Sequence, residues 1–121
     1  MYPIFENETG LFQELARAKD VKFAQISLLV INAGCSRGGH FHKRKEEWFC
    51  CIRGSCRINL QNVNSKTKEE FVLDEFERNF FKVEPFWAHT VTNLSDSKSC
   101  DLIVIVSEEY DESDPDTFKP E

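Results

Sequence analysis

The segment from Gly34 to Gly54, GCSRGGHFHKRKEEWFCCIRG, limits what this chain can become more than any other. Read with its gaps it is G-x(5)-H-x-H-x(4)-E-x(6)-G, the named residues being Gly34, His40, His42, Glu47 and Gly54. Side chains of an extended strand alternate between faces, so His40 and His42 are expected to point the same way, about 7 Å apart at about 3.3 Å per residue. Two imidazoles so placed can share one metal ion or one substrate. Lys43, Arg44, Lys45 and Glu46 are polar and suit an exposed turn, after which Trp48-Phe49-Cys50-Cys51-Ile52 resumes an apolar run with strand character. A hairpin of that kind swings Glu47 back toward the histidines. Glycines at both ends admit backbone conformations closed to other residues.

The rest of the chain reads as short strands. Phe23 to Ile31 (FAQISLLVI) is rich in β-branched and aromatic residues and is expected to be a mostly buried strand leading into the histidine segment. Cys56 to Gln61 alternates polar with apolar residues, as a strand with one wet face does, and Asn62 to Lys68 is a polar loop. Glu70 to Leu73, Asn79 to Val83 and Ala88 to Asn93 are further short strands. Leu102 to Val106, five apolar residues in a row, predicts a strand buried on both faces. Leu11 to Ala18 has helix-favouring composition, yet the turn-like Asn7-Glu8-Thr9-Gly10 before it is better followed by a strand. Many short strands with little helix predict an all-β sandwich or barrel, and 121 residues allow one such domain.

Charge sets further limits. Of the net −6, all is carried by the last fourteen residues, where seven acids face Lys119 alone and leave 14 acids and 14 bases in the remainder. That balance gives no electrostatic footprint for nucleic acid. The expected division is a barrel over residues 1–107 and an acidic tail over 108–121, packed on the barrel or extending from it as a solvated end or a dimer contact. No apolar run reaches the roughly 18 to 20 residues that span a bilayer, and no basic n-region opens the chain, so a cytoplasmic protein without membrane contact is expected. Five cysteines without a C-x-x-C pair indicate small buried thiols, with neither a disulfide framework nor a cysteine zinc site.

The Gly34 to Gly54 pattern resembles the first motif of the cupin superfamily, small jelly-roll β-barrels that hold a metal or substrate inside. The third and last histidine, His89, lies in Pro85-Phe86-Trp87-Ala88-His89-Thr90-Val91-Thr92-Asn93, similar to the second cupin motif P-x-G-x-x-H-x(3)-N, one residue shorter and without its glycine. Ser36-Arg37-Gly38-Gly39-His40-Phe41-His42-Lys43 and Gly54-Ser55-Cys56 resemble dTDP-sugar 3,4-ketoisomerases, whose two motif histidines are catalytic without a metal. Gln25-Ile26-Ser27, Glu47, His89 with Asn93, and the ending Glu109 to Phe118 resemble the zinc-carrying C-terminal cupin domain of UDP-sugar epimerase/reductases of capsular polysaccharide synthesis, here standing alone. Thr9 stands where nucleotide-sugar cupins carry an arginine, and Ile26 and Ser27 stand where the ketoisomerases carry a tyrosine.

These resemblances imply a nucleotide-sugar epimerase or ketoisomerase, acting on a UDP- or dTDP-hexulose by removing a proton beside its ketone, and a homodimer. Such a proton is weakly acidic, so the site needs a base poised near neutral pH and a partner for the enolate oxygen. His40 and His42 are the catalytic candidates, with Arg37 for the oxyanion or the diphosphate. His40, His42, Glu47 and His89 are the candidate ligands of a divalent ion, for which zinc is implied, while the ketoisomerase resemblance implies a metal-free scheme. Arg37, Lys43 and Trp87 are the candidate substrate contacts, Trp87 by stacking on the base. Three histidines and a glutamate also suit an iron dioxygenase, and a non-catalytic cupin that binds a sugar or metal is the remaining alternative.

Overall fold

The computed structural model describes residues 2–121, and every regular element among them is a β-strand. The strands are β1 Ile4–Asn7, β2 Gly10–Gln13, β3 Gln25–Ile31, β4 Ser36–His40, β5 Glu47–Arg53, β6 Ser55–Asn62, β7 Lys68–Asp74, β8 Phe81–Val83, β9 Trp87–Asn93 and β10 Cys100–Val106. β1 and β2 form a separate hairpin. The others make two four-stranded antiparallel sheets, ordered β3-β10-β5-β8 and β4-β9-β6-β7. Their inner faces meet over one core that includes Ile31, Phe49, Ile58, Leu60, Val91 and Leu102. The fold is all-β, as the spacing of short strands predicts, and it is the small jelly roll that the cupin resemblance implies, in a single domain.

Pattern and place agree for most strands. In β6 the inward Cys56, Ile58 and Leu60 are buried, while Arg57 and Asn59 between them are not. β10 has a neighbour on each edge, and Leu102, Val104 and Ile105 are buried, as a continuous apolar run requires. Leu11 to Gln13 is strand rather than helix, because it pairs with Ile4 to Glu6 in a register that the turn at Glu8 and Thr9 sets. The first of those two strands carried no signal in the sequence.

Three expectations fail. β3 is not mostly buried: Ile26, Leu28 and Val30 are 56, 69 and 44% exposed. β3 is an edge strand with β10 as its one sheet neighbour, and no other element covers the face these three residues share. Cys35 is exposed, unlike the other four cysteines. Lys45 does not lie on an exposed turn but is buried, 5% exposed.

The acidic tail folds back. Phe41 and Phe118 exchange two backbone hydrogen bonds, and Arg44 pairs with Glu108 and Asp114, so the tail lies along the turn that joins β4 to β5. Three thiols also meet where no sequence spacing suggested it. The Sγ atoms of Cys51, Cys56 and Cys100 lie within 4.8 Å of one another behind the β5–β6 turn. A hydrogen bond with Cys56 and burial hold the Cys51 thiol far above its ordinary pKa, and burial pushes Cys100 up to about 12, so they are core thiols and not thiolates.

Candidate active site

Two sheets contribute to one buried cluster. His40 ends β4 and His42 follows two residues later; His89 lies on β9, which pairs with β4; Glu47 opens β5 in the opposite sheet. One ligand atom from each of the four lies within 4.8 Å of the others, so all four candidate ligands come together. A shift in the β4–β9 register between Gly38 and His40 makes this convergence work. Arg37 and His40 are three residues apart and would face opposite ways along a regular strand, whereas the bulge lets both line the same cavity. Gly38 is required there: it holds φ +115°, and a Cβ on it would sit 2.6 Å from the His89 carbonyl oxygen.

Hydrogen bonds fix two of the imidazoles. Nδ1 of His42 donates to the backbone oxygen of Asp116, and Nδ1 of His89 donates to that of Trp87, 3.1 Å away. Both Nε2 atoms therefore face Glu47, which His42 touches directly and His89 approaches to 3.6 Å. Burial works against a charged His42, but the Glu47 carboxylate outweighs it and raises its pKa. Burial lowers the pKa of His89. Burial and the two neighbouring imidazoles lower that of His40, whose ring has no hydrogen bond shifting it. Burial would raise the pKa of Glu47, but the His42 hydrogen bond and the charge of the histidines bring it below the ordinary carboxylate range.

The donor set suits a divalent ion. Two tautomer-fixed imidazoles, a third beside them and an ionised carboxylate converge, and the buried Oε1 of Glu47 faces the Nε2 atoms of His42 and His89. An ion there would satisfy that oxygen and accept the Nε2 lone pairs. The cluster forms part of the wall of a cavity of about 340 Å³, lined also by Arg37, Lys45, Tyr110 and Thr117 and by an apolar wall that includes Leu29, Phe49 and Val104.

Not every candidate residue reaches this cavity. Lys43 is exposed and its ammonium lies over the Phe118 ring, 4.2 Å from the centroid. Trp87 packs against the hydrophobic core, and its carbonyl, not its indole, serves the site through His89. Sequence reasoning missed Asp116. Its buried carboxylate accepts the backbone N–H groups of Lys43, Arg44 and Lys45 at 2.9, 3.0 and 3.0 Å, and those bonds keep it ionised against the effect of burial. An aspartate fixed in an Asp-Pro-Asp stretch was the available signal. Phe86 was missed too: at φ +67° it takes the left-handed conformation that the absent motif glycine would supply. The strain, roughly 1–3 kcal/mol, is offset where Phe86 N donates to the His42 oxygen at 2.7 Å and its ring meets Phe41.

Known proteins share this arrangement of strands. A family model described as the polysaccharide biosynthesis C-terminal domain matches residues 5–118. A UDP-2-acetamido-2,6-beta-L-arabino-hexul-4-ose reductase of Pseudomonas aeruginosa is 28% identical over 118 residues, which cover 96% of this chain and 30% of that protein. A TDP-4-oxo-6-deoxy-alpha-D-glucose-3,4-oxoisomerase of Aneurinibacillus thermoaerophilus is 33% identical over 78 residues, 64% of this chain and 52% of that protein. The chain thus spans about a third and about half of the lengths of these two relatives. The crystal structure of the capsular polysaccharide assembling protein CapF from Staphylococcus aureus superposes with a TM-score of 0.77 at 26% identity, covering 83% of this chain and 27% of that one.

Proposed function

The chain belongs to the family of polysaccharide biosynthesis C-terminal domains, and from that premise we propose that it is a nucleotide-sugar epimerase or ketoisomerase that removes a proton beside the ketone of a UDP- or dTDP-hexulose. The observation that carries this reading is the meeting of three imidazoles and one carboxylate in a single concave site whose lining includes Arg37 and Lys45. The names of the relatives support the substrate class, since both act on 4-keto or related nucleotide hexoses. Cell-surface polysaccharide precursors handled in the cytoplasm are the fitting context.

His40 is the base. Its ring is half-buried, its pKa is lowered, and no hydrogen bond ties up either nitrogen, so at neutral pH it is uncharged and free to take a proton from the sugar. His42, Glu47 and His89 would hold a divalent ion, with zinc the expected one and His40 close enough to join them. When bound, the ion supplies Lewis-acid polarisation of the ketone. Arg37, exposed on β4 and lining the cavity, receives the diphosphate with its planar fork. A second reading rests on the direct contact of His42 with Glu47. Without an ion, that carboxylate holds His42 protonated, and the imidazolium itself polarises the ketone. The molecule acts as a homodimer, joined through the uncovered face of β3.

Incubation with UDP- and dTDP-4-keto-6-deoxyhexoses in heavy water tests the reaction. Wild-type protein is expected to exchange one ring hydrogen for deuterium, and His40→Gln is expected to slow that exchange by about 10²-fold or more. Loss of exchange on chelation selects the ion-dependent scheme, and its persistence the imidazolium scheme. If the wild type exchanges hydrogen in none of these sugars, the proposed reaction is wrong.

A further inference from the structure

The turn Lys43-Arg44-Lys45 carries three cations, and the fold treats them differently. Asp116 accepts all three backbone N–H groups, which fixes where each side chain leaves the turn. Lys43 goes outward over Phe118, and Arg44 goes outward to Glu108 and Asp114. Lys45 goes inward. It is 5% exposed and lines the same cavity as His40, His42, Glu47 and His89. Its ammonium has no carboxylate within ion-pair distance among the described residues and lies over the Tyr110 ring, 5.5 Å from the centroid.

The Lys45 stem is buried and its ammonium, unpaired, lines the cavity, where an anion that arrives there meets a cation with no competing carboxylate. We propose that Lys45 is a further catalytic residue, whose ammonium is the charge partner of the oxyanion that develops on the ketone bound beside the histidine cluster. The inference rests on the proton-abstraction reading above. As the C–H bond beside the ketone breaks, the proton goes to His40, its electron pair forms the carbon–carbon double bond, and the carbonyl pair moves onto oxygen. The negative charge thus appears within a cavity already lined by the Lys45 ammonium, an arrangement that favours the transition state over the neutral ground state. The diphosphate is charged before and after the reaction and suits the exposed Arg37 instead. Lys45 sits two residues before Glu47, so the turn that delivers the carboxylate delivers the cation as well.

Lys45→Met keeps the length and apolar stem and removes the charge. Three measurements on wild type and variant decide the matter. The exchange assay is expected to show kcat lowered by about 10²-fold or more, with KM and the affinity for UDP within twofold. Acetate titrated into the protein and followed by backbone amide shifts of residues 43–47 is expected to bind at least tenfold more weakly to the variant. The thermal midpoint is expected to stay level, because the ammonium makes no ion pair in the fold and the apolar stem is kept. Unchanged acetate affinity overturns the proposal, as does kcat within threefold of wild type. A loss of UDP affinity with kcat retained makes Lys45 a diphosphate anchor and overturns it as well, and a lowered midpoint assigns it to the fold. Should the wild type exchange none of the sugars, the reaction fails on its own, and the acetate comparison still decides the role of Lys45.

Discussion

Asp116 shows how much of this site hangs on a single side chain. Its carboxylate satisfies three backbone donors of the β4–β5 turn, and its own backbone oxygen orients His42. Asp116→Ala leaves three N–H groups to partial hydration, at a cost of about 1–3 kcal/mol, and frees the tail segment that sets the His42 tautomer. The expected result is a lowered thermal midpoint together with a 10- to 100-fold loss of zinc affinity, read by competition with a chromophoric chelator. Zinc affinity equal to wild type would mean that His42 needs no such support. The four cluster residues were legible because their spacing is local: His40, His42 and Glu47 lie within eight residues, and His89 is the one other histidine. Asp116 and Lys45 were not, since which way Lys43 or Lys45 points depends on a contact more than seventy residues away in sequence. Lys43, the candidate by sequence, points outward over Phe118 for that reason.

At the scale of elements, the β4–β9 pair does the positioning. Its bulge turns Arg37 and His40 to the same side, and its closeness at Gly38 sets the depth of His89. Alanine at two adjacent glycines separates closeness from backbone conformation. Gly38→Ala drives a Cβ into the His89 carbonyl, while at Gly39, with φ +82°, a Cβ meets nothing within 4 Å. Gly39→Ala then costs only the left-handed strain, about 1–2 kcal/mol, with the cluster intact. Gly38→Ala adds displacement of β9 and is expected to lower the thermal midpoint further and to weaken zinc binding at least tenfold. Equal effects of the two substitutions, in paired melts and zinc titrations, would deny that backbone contact places His89. An extended strand at His40 and a short strand over Ala88 to Asn93 were readable from the sequence, but the bulge was not, because a one-residue shift in pairing is a property of two strands. The same limit explains β3. A nearly unbroken apolar run reads as buried on both faces, and only the sheet order reveals that one face has nothing over it.

For the molecule as a whole, an all-β sandwich or barrel followed from the number and spacing of short strands and the jelly roll from the motif resemblance, and the quaternary arrangement is where the sequence pattern finds its remaining use. Ile26, Leu28 and Val30 form an apolar ridge on the outer face of an edge strand, and the nearby sequence spends no charge to guard it, the usual protection for such an edge. The β1–β2 hairpin leaves Phe5 and Phe12 exposed as a cross-strand pair, 65 and 67%. A monomer in water would carry both surfaces bare. In the proposed homodimer a second copy would cover the ridge by symmetry, since a two-fold axis brings the same patch to itself. Leu28, at 69% exposed the most prominent of the three, is the residue to change. Leu28→Lys places a charge at the centre of that contact, and its sedimentation is expected to be that of a monomer at micromolar concentration, with an unaltered circular dichroism spectrum. Val72 on β7 is 58% exposed on the other sheet and serves as the control. Val72→Lys adds the same charge away from the ridge and should sediment as the wild type does, as a dimer. A wild type that is itself monomeric, or a Leu28→Lys variant that remains dimeric, would remove β3 from the interface.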